Sequence, residues 1–78
     1  MKTMTCKDLG GACDTQFQAE TFEKMGEISK EHGMEMFKKG DKKHISAMEK
    51  IRDLMNNPYD MNEFMRIKEE MFDNKAED

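Results

Sequence analysis

Cys6-Lys7-Asp8-Leu9-Gly10-Gly11-Ala12-Cys13-Asp14 is the stretch that decides the fold of this 78-residue chain. A Gly-Gly pair supplies the positive φ angles of a tight hairpin turn, so residues 2–6 and 13–19 are predicted to be two antiparallel strands around Gly10-Gly11. That turn sets a register in which Asp8 faces Cys13, Cys6 faces Thr15 and Met4 faces Phe17. Side chains alternate along a strand, so Met4, Cys6, Cys13 and Phe17 share one face, while Thr3, Thr5, Gln16 and Gln18 share the other. The first face is apolar plus sulfur and needs a cover.

The cover comes next in sequence. Thr21 is a natural N-cap for a helix running to about Lys39, with Glu23 in its first turn, Lys38 and Lys39 in its last, and Gly40 as a left-handed stop. Its inward stripe is Phe22, Met25, Ile28, Ser29, His32 and Met36. Gly26, Ser29 and Gly33 lie beside that stripe, and each mid-helix glycine costs roughly 0.8–1 kcal/mol relative to alanine, so close approach of another backbone is expected there. Asp41 caps a second helix with His44, Ala47, Met48, Ile51, Leu54 and Met55 inward, ending at Asn56-Asn57-Pro58. Asp60 and Glu63 form a capping-box pattern for a third helix presenting Met61, Phe64, Met65, Met71 and Phe72. Lys68 falls in the middle of that stripe, where a lysine usually snorkels to the edge.

The reading is an α+β fold in a single domain, 1–78: an N-terminal β-hairpin packed on a long helix (1–39), a second helix (40–57), a third (58–74) and a frayed polar tail (75–78). So short a chain gains only about 3–5 kcal/mol from its core, so a metal, a disulfide or a second subunit is expected to help. Ten methionines against five phenylalanines and no tryptophan make the apolar set soft and adaptable, most simply as a Met-filled core.

Function classes narrow by charge and by what is missing. A net charge of −4 argues against nucleic acid. Lys38, Lys39, Lys42 and Lys43 form the one basic cluster, at the helix-helix turn, where a solvated loop is the simpler account and anion binding the alternative. No apolar run resembles a signal peptide or a membrane span, so a cytoplasmic location is expected, in which Cys6 and Cys13 are thiols or metal ligands rather than a disulfide. Catalysis ranks last: a Cys-His pair is present, but without an orienting third group, an oxyanion-hole signal or a C-x-x-C motif.

The remaining chemistry is metal binding. A helix returning from residue 20 toward the turn travels roughly 15 Å from Phe22 to His32, about the length of the strand it covers, which brings His32 to the thiols. Two thiolates and an imidazole suit zinc, and a structural site wants a fourth ligand. His44 is the first candidate by residue type; Asp14, Glu35, Met36 or water are the others, and a Met ligand would favour Cu(I). Against this stands the ordinary fate of small buried cysteines and of hydrogen-bonded core histidines.

The Cys6-to-Asp14 stretch, the Glu20-Thr21-Phe22-Glu23 helix start and the eighteen residues between Cys13 and His32 resemble the predicted small metal-binding proteins, a bacterial and archaeal domain of unknown function. The resemblance covers residues 1 to about 38. It implies Cys6, Cys13 and His32 as ligands and a second histidine five residues after His32, where this chain has Phe37; His44 is the possible replacement. The expected function is thus a non-catalytic zinc-binding domain of unknown cellular role. The alternatives are a Met-rich interaction module that pairs with a second copy or another protein, and a thiol redox sensor.

Overall fold

The computed structural model describes residues 1–78 and has the expected α+β architecture, an antiparallel two-stranded hairpin packed against three helices. Strands β1 (Lys2–Thr5) and β2 (Gln16–Ala19) pair with Met4 opposite Phe17 and Thr5 opposite Gln16, the register expected from sequence. Helices α1 (Phe22–Lys38), α2 (Lys42–Met55) and α3 (Pro58–Asp73) follow, with α1 on β2, α2 on α1 and α3 on α2. None of these helices is long and apolar enough to cross a membrane.

The turn between the strands departs from the two-residue form. Lys7–Leu9 make one turn of 3-10 helix, so the strands stop at Thr5 and restart at Gln16. Thr5 and Asp8 cap it reciprocally: the Asp8 N–H donates to Thr5 Oγ1 at 3.1 Å and the Thr5 N–H to Asp8 Oδ2 at 3.0 Å. That exchange takes Asp8 away from Cys13. Of the Gly10-Gly11 pair only Gly10 has positive φ, +95°, and it closes the turn. Gly11 is needed for space, since a Cβ there would lie 2.1 Å from Cys6 Sγ.

Two of the three helix starts follow the sequence signals. Thr21 accepts from the Lys24 N–H, Asp41 accepts from the His44 N–H, and Gly40 at φ +74° turns the chain between them. The third start lies earlier than Asp60. Asn57 is the cap, accepting from the N–H groups of Tyr59 and Asp60, and Pro58 takes the first helical position, where its missing N–H costs nothing. Glu63 instead pairs with Arg66 at 2.9 Å. Lys68 finds neither an acid nor open solvent alone; its ammonium lies over the Phe64 ring, 5.3 Å from the centroid.

Burial is concentrated at the hairpin end. Met4, Cys6, Phe17, Ala19, Met25 and Phe72 form the core, with Met4 and Met25 fully enclosed. The stripes of α2 and α3 are less covered than their periodicity suggests: Met55 is 61 % exposed and Met65 44 %. The polar tail expected to fray instead lies along β1, where the Asp78 N–H donates to Met1 O, the Thr3 hydroxyl and Gln18 side chain donate to Asp78 Oδ2, and the N-terminal ammonium meets Glu77 at 2.8 Å.

Candidate metal centre

The four predicted ligands converge. Cys6 caps the 3-10 turn just after β1, Cys13 lies on the return from that turn, His32 is mid-way along α1 and His44 is in the first turn of α2, so four separate positions in the fold contribute. Their sulfurs and ring nitrogens all lie within 4.8 Å of one another. Cys13 Sγ is 3.3 Å from His32 Nε2, and Cys6 Sγ is 3.7 Å from His44 Nε2. A tetrahedral Zn²⁺ shell built from bonds of about 2.3 Å to sulfur and about 2.0 Å to nitrogen has ligand-ligand edges of about 3.3–3.8 Å. The protein's own packing therefore holds the four groups at nearly the spacing of a zinc shell.

Backbone hydrogen bonds fix the two sulfurs. The Cys6 N–H donates to Thr15 O and the Lys7 N–H to Cys13 O, both at 2.9 Å, so the strands remain tied on either side of the cysteines. The Leu9 and Gly11 N–H groups both donate to Cys6 O. Both cysteines are free thiols. The imidazoles are fixed by stacking: His32 sits edge-on to Phe17 at 5.3 Å and to His44 at 5.2 Å between centroids. Asp41 Oδ1 lies 3.1 Å from His44 Nδ1 but is aimed at the His44 backbone N–H, which leaves the buried ring nitrogen without an aligned partner. A carboxylate behind a histidine orients the ring when it accepts from that nitrogen, a bond Asp41 does not make in this geometry.

The electrostatics separate the two thiols. The Thr15 hydroxyl, 3.1 Å from Cys13 Sγ, stabilises the thiolate against the opposing effect of burial; the Thr15 N–H and the two imidazoles add to it, and the Cys13 pKa falls to about 6. Burial pushes the Cys6 thiol up. For His44, burial favours the neutral ring, but Asp41 and the Cys13 thiolate outweigh it and its pKa is raised. One thiolate is thus available near neutral pH, and the second is the one an ion would have to deprotonate.

The two carboxylates considered for the fourth position stay outside the cluster. Asp14 is 84 % exposed and pairs with Lys7 at 3.5 Å, and Glu35 faces solvent. Met36, on the turn after His32, is half-buried. Thr15, Asp41 and Phe17, which support the cluster, were not singled out for it by sequence. Only Asp41 carried a local signal, as the cap three residues before His44. The chain matches no protein-family model, no curated protein and no solved structure.

Proposed function

We propose that this chain is a small non-catalytic metal-binding domain that holds one zinc ion through Cys6, Cys13, His32 and His44. The observation that carries the reading is the convergence of two sulfurs and two ring nitrogens, from four different elements, within 4.8 Å. Two thiolates with two imidazoles are a donor set suited to Zn²⁺, and four protein ligands leave no open position for substrate, which favours a structural role over a catalytic one. Kinship with the small metal-binding proteins is part of the proposal. Cys6, Cys13 and His32 match that pattern, and Phe37, at the position of the family's second histidine, is 58 % exposed, while His44 stands at the cluster.

Elemental analysis of protein purified without added metal, together with zinc titration of the stripped protein, tests the proposal. One equivalent of zinc, lost in Cys6→Ser and in His44→Ala, is the expected result. A stripped chain that folds normally and takes up no zinc overturns it. Displacement by Co²⁺ adds a spectroscopic check, because tetrahedral cobalt with two thiolates has thiolate-to-metal absorption that a carboxylate site lacks.

A thiol redox sensor is the second reading, favoured by the lowered pKa of half-buried Cys13. It requires a reactive thiol in the native protein. Protection of both cysteines from iodoacetamide by one equivalent of zinc decides for the metal.

A further inference from the structure

We propose that the open trough between α1 and α3 is a dimerisation surface that receives α3 of a second copy of this chain, with the two protomers stacked face to face about a two-fold axis. The trough has a volume of about 610 Å³, with α2 as its floor and the Cys6–Gly11 turn closing one end. Met34, Met55 and Met65 on its lining are between 44 % and 61 % exposed, so nothing in the protomer roofs it.

The exposed area matches what a partner would cover. A compact monomer of 9.2 kDa exposes about 4,900 Å², whereas this chain exposes 5627 Å². The excess, roughly 700 Å², is close to the ~800 Å² that each partner buries in a standard interface. Met34, Met55 and Met65, between 44 % and 61 % exposed, are the large apolar side chains such an interface would cover first.

The glycines say what kind of object sits there. A Cβ at Gly26 would meet nothing within 4 Å, and one at Gly33 only the Met48 side chain at 3.9 Å, so the protomer makes no use of either mid-helix glycine. With Ser29 between them they form a low wall on which another helix backbone can lie close; an aliphatic ligand would gain nothing from it. The wall from Phe22 to Met34 is about 18 Å long, three helical turns, and α3 at 16 residues is about 24 Å.

Charge selects the same partner. Lys30 and Arg52, which make no ion pair in the protomer, line the trough together with Lys68 and a single acid, Glu23. Helix α3 carries Asp60, Glu69 and Asp73, exposed and likewise unpaired, with Glu69 one turn on from the exposed Met65. An acidic amphipathic helix is what this basic-edged apolar trough complements, and each copy supplies one to the other, the isologous arrangement that closes on itself.

Sedimentation equilibrium of the full chain, zinc-loaded and chelator-treated, tests the proposal at concentrations up to about 0.5 mM, where even weak association is seen. The expected mass is twice 9.2 kDa. Gly26→Leu fills space that is empty in the protomer and improves helix propensity, so it should keep or raise helicity while weakening the dimer by about 30-fold or more. Arg52→Glu should weaken it several-fold and reduce its salt dependence. A 9.2 kDa mass throughout overturns the proposal. So does a Gly26→Leu variant that dimerises as tightly as the parent, or a monomer whose trough binds 1-anilinonaphthalene-8-sulfonate, which would make it a small-ligand cleft.

Discussion

The hairpin end and the trough end of this small protein are built from similar side chains and packed to different standards. At the hairpin end, Met4 and Met25 are fully enclosed and four titratable groups are drawn into one cluster. At the trough end, Met34 and Met55, on helices of the same length class, are at least half exposed. A methionine is equally adaptable in both places, so the difference lies in what each end has to pack against. The hairpin end is closed by a sheet face, by α1 and by Phe72 of α3, whose ring lies 6.0 Å from that of Phe22. The trough end has no element laid over Met34 and Met55, which are 50 % and 61 % exposed.

The largest expected contrast follows removal of the proposed zinc ion. Structural zinc is worth about 10 kcal/mol or more of folding free energy. Chelation should therefore speed amide hydrogen exchange by orders of magnitude in the 6–15 turn and at the junction of α1 with α2. Equal protection throughout, with and without zinc, would remove the ion from any role in holding that end together.

Truncation should separate the ends next. Met25→Ala, at a fully buried site, is expected to cost about 2–5 kcal/mol in denaturant unfolding. Met34→Ala, at 50 % exposure, should change stability by no more than about 0.5 kcal/mol when measured on dilute monomer. A rise in the Met34→Ala cost with protein concentration would place that residue in a subunit contact, which sharpens the comparison.

Within the hairpin end the two thiols should differ by about 100-fold in alkylation rate at neutral pH in stripped protein. Cys13, with a pKa of about 6, is largely thiolate there, and Cys6, raised by burial, is almost entirely thiol. Mass mapping of partially alkylated protein reads the ratio directly. Equal labelling would mean that Thr15 does not hold the Cys13 thiolate.

The smallest effect concerns Asp8, whose carboxyl is held below its ordinary pKa first by the Thr5 N–H and then by Lys75, with burial opposing. A carboxylate whose folded pKa is depressed stabilises the fold above its unfolded pKa, and that contribution fades as pH falls through the lower folded value. Asp8→Asn should therefore be most destabilising near neutrality, with the gap to the parent protein closing in acid. A gap independent of pH would assign Asp8 a purely geometric role in the 3-10 turn.

The legible parts of this protein were those governed by neighbours in sequence. Thr21, Asp41 and Gly40 delimit helices through hydrogen bonds and a dihedral angle that span three or four residues, and the Met4 to Phe17 register follows from a turn of fixed length. The reading failed where two local signals competed. Asp60 and Glu63 looked like a capping box, but Asn57 with Pro58 offers a better cap one turn earlier. At Gly10-Gly11 the positive φ was anticipated at both residues, whereas Gly11 is required by the sulfur beside it, a contact no dihedral preference reveals.

Sequence alone settled that there would be a hairpin with a sulfur-bearing face, three amphipathic helices and a set of cysteine and histidine residues of the right types, because these depend on periodicity, caps and composition. Only the tertiary structure decided that His44 completes the cluster while Asp14 turns outward, and that the second and third helical stripes lie open. Both outcomes depend on the angles at which helices cross. Those angles come from side chains far apart in the chain packing against one another, and no local pattern encodes them.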